Sequence, residues 1–450
     1  MSHASGPSST QAPDPIEASG RTEASDRTEV PAHQSTARGK TAPAPPLPLA
    51  QPDLTALEEK RVLEAVRSGR LAFGPQLEAF EDKMAARCET DHAVATSSGT
   101  AALHLIVRAL GLGAGDEVVT TPYSFVASSN ALLFEDVRPR FVDIDPTSFN
   151  LDPGRVEDAI TADTRALLAV DVFGRPADWP ALTALAESHD LLLIDDACEA
   201  LGARVGGRAV GSWAAAAAFG FYPNKQITTG EGGCLTTDDA ELAARCRSLR
   251  NQGRASRSEM AHVRLGYNYR LSELQAALGA AQLERLDDLL GRRARVASLY
   301  QDALAPLHRD GALRLPNPPG AAPPDETDRG ADPATDHGAE RSWFVYVVRL
   351  ADHFAPGARD ELIERLRERN IGCAPYFPSI HLQPYYRDRF GFENGDFPVC
   401  EATSARTIAL PFFTEMTADD TARVADALDA ALSALPRTRA GAVGRLPTED

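Results

Sequence analysis

The chain reads as a doubly wound α/β protein, with a mostly parallel sheet in a large unit and a smaller C-terminal α+β unit. Three observations carry that reading. The short apolar runs Phe141-Val142-Asp143-Ile144, Ala166-Leu167-Leu168-Ala169-Val170 and Leu191-Leu192-Leu193-Ile194 are separated by helix-period segments, the pattern of buried strands joined by crossover helices. Glycine and hydroxyl residues cluster where a strand run gives way to a helix run, at Thr96-Ser97-Ser98-Gly99-Thr100. At 450 residues and 43% apolar content, the chain is long enough for two or three domains.

Residues 1–50 are rich in Ser, Thr, Ala and Pro with almost no large apolar residues, so they read as a disordered tail. A large unit follows over 51–290. Within it, 76–87 reads as a helix, 92–96 as a strand, 101–110 as a helix and 117–120 as a strand ending at Pro122. The segment 271–304 is alanine- and leucine-rich and reads as one long helix bridging to a small unit over 291–435. That unit is expected to hold a strand at 343–350 and helices at 359–369 and 417–432. Residues 316–341, dense in Pro, Gly and Asp, read as a disordered inserted loop, and 436–450 as a loose end.

Bulk composition excludes several function classes. A net charge of −18 argues against a nucleic-acid backbone as partner. No apolar run is long enough to span a membrane, and the N-terminus lacks a signal-peptide pattern, so the expected location is the cytoplasm. The six cysteines are dispersed, without a C-x-x-C pair or histidines at ligand spacing, so neither a disulfide framework nor a metal site is expected.

Lysine is scarce: Lys40, Lys60, Lys83 and Lys225 are the only ones, so 46 − 4 = 42 of the basic residues are arginine. Arginine serves surface charge but cannot give up its proton to become a nucleophile. Lys225 stands alone in the later chain, in Phe221-Tyr222-Pro223-Asn224-Lys225-Gln226 before the glycine-rich stretch 228–233. It is either amine chemistry or a loop charge.

Other residues gather at predicted strand ends, where ligands of open α/β sheets bind. Ser98-Gly99-Thr100 at a helix start suits an anion, with an ordinary N-cap as the alternative. Asp195 and Asp196 close one strand; one of them can pair with a protonated ring nitrogen, or they can be a cap and a surface charge. Phe125 can stack on a flat ring or pack in the core. Arg247, Arg250, Arg254 and Arg257 suit an anionic substrate or a solvated face, and His381 a substrate contact or a satisfied polar group.

These pieces resemble, in order and spacing, the sugar aminotransferases of the DegT/DnrJ/EryC1/StrS family, pyridoxal-phosphate enzymes of fold type I. The resemblance spans about 54–435 and is carried by Phe73-Gly74-Pro75, the stretch 98–104, Gly115-Asp116-Glu117-Val118, the stretch 141–145, Asp195-Asp196-Ala197, Phe221-Tyr222-Pro223-Asn224-Lys225, the stretch 266–271 and His381-Leu382-Gln383-Pro384. It implies that Lys225 links covalently to pyridoxal 5'-phosphate, Asp196 pairs with the ring nitrogen, Phe125 stacks on the ring, and Gly99 and Thr100 hold the phosphate. It further implies that Asn268 reaches the neighbouring subunit's cofactor, so that a homodimer shares its sites. Arg270 in the same motif and His381 are candidate substrate contacts.

Two positions depart from the pattern. Gly220 stands where the family usually has a phosphate-binding serine, leaving Ser97, Thr228 or Thr229 to replace it. Glu199 stands where a glutamine commonly donates to the cofactor's phenolic oxygen; ionised, it would repel that oxygen unless protonated or turned away. The resemblance implies amino transfer from L-glutamate to a nucleotide-linked keto-sugar, most simply a 4-keto-6-deoxy sugar. A sugar dehydratase of the same fold and a non-catalytic regulator are the alternatives, the first opposed by Lys225, since such relatives carry histidine there.

Overall fold

The computed structural model describes residues 45–256, 260–316 and 338–436. Its main sheet has seven strands in the spatial order His92–Thr96, Gly233–Thr237, Ala216–Gly220, Leu192–Asp196, Thr164–Val170, Glu117–Thr120 and Arg138–Phe141. All neighbours run parallel except Gly233–Thr237, which is antiparallel to both of its own. Helices cover both faces, so adjacent residues of one strand serve two different cores. Leu167, Val119 and Ala217 enter one core with Phe80 and Trp179, while Leu168, Val118 and Ala218 enter the other with Leu103 and Ile106.

The predicted α/β class holds, with local corrections. In the run 141–144 only Phe141 belongs to a strand, which starts earlier, at Arg138. The chain leaves the sheet because Asp143 turns its carboxylate onto the N–H groups of Ile144, Val399 and Cys400 at 2.8–2.9 Å, capping the later helix Pro398–Ser404. The stretch 271–304 is two helices, Glu273–Glu284 and Leu286–Arg309. They break at Arg285, whose guanidinium binds Asp53 and Glu58, each at 2.8 Å.

A second sheet, wholly antiparallel, orders Leu313–Arg314, Tyr346–Leu350, Thr407–Leu410 and Ala374–Pro375. It shares a core with the Leu286–Arg309 and Ala418–Leu432 helices through Tyr300, Leu304, Val348, Ile408 and Leu428. The expected tail is ordered from residue 45 on. Leu47 is buried and pairs with Ile371, Leu49 accepts from the Phe412 N–H, and Asp53 accepts from Thr414 at 2.8 Å. The expected inserted loop likewise ends in structure, since Ala339–Glu340 pairs with Arg204–Val205. The rest of those segments, 1–44 and 317–337, and the end from 437 on lie outside the described residues.

Among the described residues no helix is long and apolar enough to cross a membrane, and no cluster of three His, Cys, Asp or Glu is placed to hold a metal. All six cysteines are free.

Candidate active site

The parallel strands send their carboxyl ends to one rim of the sheet, and four of the predicted groups lie at or just beyond those ends. The first strand runs into Ser97 and Ser98, and the helix Gly99–Ala109 begins there with Ser98 accepting from the Ala101 N–H at 3.1 Å. Among the described residues, the Gly99 and Thr100 N–H groups have no protein acceptor, as befits the first turn of a helix. Glycine is required by close approach. A Cβ on Gly99 would stand 2.9 Å from Cys198 Sγ and 3.2 Å from Gly220 Cα, and one on Gly233 would lie 2.3 Å from the Ser98 carbonyl.

This cup is lined by backbone, and it has space at Gly220. A Cβ there would sit 3.5 Å from Cys198 Sγ, an ordinary contact. Of the hydroxyls that might replace the usual serine, Thr228 is spent on the Phe221 carbonyl and Thr229 on the Glu231 carbonyl. Ser97, whose N–H donates to the Tyr269 carbonyl, has no partner for its hydroxyl among the described residues.

Asp196 is 4% exposed and held from two sides, by Ser128 Oγ at 2.6 Å and the Cys198 N–H at 3.3 Å. The Ser128 N–H donates to the Phe125 carbonyl, so one residue ties the carboxylate to the segment carrying the aromatic. Phe125 is 61% exposed. Asp195, beside Asp196 in the chain, points away and accepts from the Gly211 N–H. Asp195 and Asp171 are wholly buried, and burial together with their mutual charge raises Asp195 well above the carboxylate range; burial raises Asp171 to about 7.

Lys225 follows the Ala216–Gly220 strand after a turn in which its N–H bonds the Tyr222 carbonyl. Its Nζ lies 3.5 Å from Glu199 Oε1 and 4.0 Å from the centre of the Phe344 ring. Glu199 is therefore turned towards the lysine, its other oxygen fixed by the Phe173 N–H at 2.8 Å. Burial raises the Glu199 pKa, with Lys225 and that N–H pulling the other way. Tyr376 closes this end: its hydroxyl accepts from Asn224 Nδ2 at 3.3 Å, and burial followed by the Glu199 charge pushes its pKa up to about 12.

The remaining predicted residues are distributed unevenly. Asn268 is exposed, in a short bridge with Asn251, while Tyr267 and Tyr269 on either side stack on each other and bond Glu135 and His104. Arg270 donates to Asn251 at 3.2 Å. His381 is fully buried with Nε2 on Glu401 at 3.1 Å, while its Nδ1 has no hydrogen-bond partner among the described residues. Arg247 and Arg250 serve the sheet, bonding the Ala93 and Ala95 carbonyls, so they do not form a substrate patch; Arg257 lies outside the described residues. Ser128, Phe344 and Tyr376 are additions that no local pattern announced. Each comes from a segment remote from Lys225 and is of a common residue type.

Uncommitted amides at one end, a fixed buried carboxylate, an exposed aromatic and one amine fit a flat pyridine aldehyde bearing a phosphate. Comparison with known proteins agrees. The sequence profile of the DegT/DnrJ/EryC1/StrS aminotransferase family matches residues 52–429. The chain is 38% identical to dTDP-3-amino-3,4,6-trideoxy-alpha-D-glucose transaminase of Streptomyces venezuelae, over 87% of this chain and 97% of that one. It is 36% identical to GDP-perosamine synthase of Caulobacter vibrioides, over 86% and 99%. Among solved structures it matches S. venezuelae DesV in complex with a ketimine intermediate, with a TM-score of 0.74 and 36% identity over 85% of this chain and 99% of that one. With the profile covering most of its length and its strand-end residues arranged to suit it, the chain belongs to the DegT/DnrJ/EryC1/StrS aminotransferase family.

Proposed function

We propose that the protein is a pyridoxal-phosphate-dependent aminotransferase that moves nitrogen from L-glutamate to a nucleotide-linked keto-sugar, most simply a 4-keto-6-deoxy sugar. The observation that carries the reading is Lys225: a single amine, 15% exposed, facing a buried carboxyl on the rim that also bears Asp196 and the Gly99-Thr100 amides. The relatives named above act on nucleotide sugars by their names, which supports the acceptor class.

The cofactor, when bound, supplies an aldehyde carbon for amines and a protonated ring that withdraws electrons. The Gly99 and Thr100 amides at the helix start would hold its phosphate, and Phe125 would stack on its ring. Asp196, oriented by Ser128 and Cys198, keeps a proton on the ring nitrogen. Lys225 Nζ is the nucleophile and then the base that moves the proton from the donor Cα. That work requires the neutral amine. Glu199, 3.5 Å away and raised by burial, can take the lysine's proton, and once protonated it can donate to a phenolic oxygen as a glutamine would.

The exposed Asn268 supports a homodimer in which it serves the partner's site. The test is direct. Purified protein loaded with pyridoxamine phosphate is screened against nucleotide keto-sugars for return of the aldehyde-form absorbance. The reading expects a response to a subset of them, and to L-glutamate in the reverse direction. Silence across 3-keto and 4-keto sugars, from a protein that binds the cofactor, would overturn it in favour of a regulator.

A further inference from the structure

Arg293 is almost wholly buried near the middle of the Leu286–Arg309 helix, and among the described residues it makes no ion pair. A buried charge without a carboxylate partner is costly. Burial accordingly lowers its pKa to about 10, opposed only by the more distant charge of Asp53. Its hydrogen bonds go to two carbonyls: Nη2 donates to Lys225 at 2.7 Å and Nη1 to Phe344 at 3.2 Å. Phe344 is the residue whose ring stands 4.0 Å from Lys225 Nζ. One guanidinium thus grips the lysine's backbone and, separately, the aromatic that meets the lysine's amine.

A planar fork fixes the two carbonyls relative to each other, which a lysine's point charge cannot do. The lysine turn belongs to the main sheet, whereas Phe344 leads into the Tyr346–Leu350 strand of the second sheet. Neither residue is near the other in sequence. Without the fork, the Lys225 and Phe344 carbonyls lose the bonds that fix them relative to each other.

We propose that Arg293 is the positioning residue for Lys225: by bonding the Lys225 and Phe344 carbonyls together it sets the direction from which the amine meets the cofactor aldehyde. The proposal rests on Lys225 as the amine that attaches the cofactor.

The test measures how fast pyridoxal phosphate becomes fixed to Lys225 by borohydride reduction, located by peptide mass spectrometry, in wild type, Arg293→Met and Arg293→Lys. It also measures the dissociation constant of pyridoxamine phosphate, which needs no lysine link. Misplacement of a reacting group by about 1 Å costs on the order of a hundredfold. Arg293→Met is therefore expected to slow fixation roughly ten- to a hundredfold while pyridoxamine phosphate binding stays within about threefold of wild type. Arg293→Lys keeps the cation but not the fork and serves if the methionine variant does not fold; the same slowing is expected of it. Fixation at the wild-type rate in a folded variant would overturn the proposal. So would equal losses in both measurements, which would mark Arg293 as a general support of the fold. If wild type itself fixes the cofactor elsewhere than Lys225, the underlying functional reading fails instead.

Discussion

The two ends of the site are built by opposite means. At the anion end the protein supplies backbone: Gly99, Gly220 and Gly233 let three segments approach until a single added Cβ would collide at two of the three positions. At the amine end it supplies side chains from separate places in the chain, with Lys225, Glu199, Arg293, Phe344 and Tyr376 converging from different elements. The contrast teaches where tolerance lies. Backbone construction fails abruptly when volume is added, whereas side-chain construction fails gradually as groups lose their aim or their charge state.

The sharpest break of the amine end is Lys225→Ala, which should lower turnover by more than about a thousandfold, the scale for a positioned acid–base group. It should also abolish borohydride fixation of the cofactor; a reducible link that persisted would place the nucleophile elsewhere. For the anion end, Gly233→Ala should cost about 1–3 kcal/mol, since its Cβ would meet the Ser98 carbonyl at 2.3 Å. Gly220→Ala, with its nearest contact at 3.5 Å, should change the unfolding midpoint in urea far less. Equal losses at the two glycines would erase the contrast.

Glu199→Gln tests the gradual end. Burial raises the Glu199 pKa, so the carboxyl loses its proton as pH climbs past the ordinary carboxylate range, and a glutamine cannot follow. The visible absorbance of the loaded enzyme should therefore titrate with a step in wild type that the variant lacks; superimposable curves would remove Glu199 from the cofactor's surroundings.

The smallest effect belongs to the acids behind the site. Asp195 and Asp171 have folded pKa values above their unfolded ones, so the folded state binds more protons and stability falls as pH rises from about 4 through about 7. Asp195→Asn removes one titration and can donate to Asp171. Its melting temperature relative to wild type should climb as pH goes from about 5 to about 8. A constant offset would show that the pair does not titrate in that window.

What the sequence disclosed follows the same division. Glycine and proline motifs mark backbone that must approach closely or turn, and those constraints are local, so the anion loop, the Asp196 strand end and the lysine turn were legible. Lys225 was further exposed by rarity. Arg293 was hidden by the converse, being one of 42 arginines, on a helix whose apolar rhythm reads the same whichever of its polar residues is buried. The break at Arg285 was equally silent, because Asp53 and Glu58, which hold it, lie more than two hundred residues earlier in the chain.

The ordered strap at the beginning of the described chain has a kinetic consequence. Leu47, Leu49 and Asp53 bind Ile371, Phe412 and Thr414, so contacts spanning more than three hundred residues join the first described residues to the second sheet and its surroundings. During synthesis those first residues must wait for nearly the whole chain to emerge. Closing a loop of that length carries an entropic cost before any contact rewards it, which places the strap among the last parts to lock. Asp53 also bonds Arg285, at the helix break, and Arg292, one residue before Arg293. Completion of the helix that bears the lysine's clamp is thereby tied to the arrival of the chain's other end, and a nascent protein would acquire its amine geometry only near the close of folding.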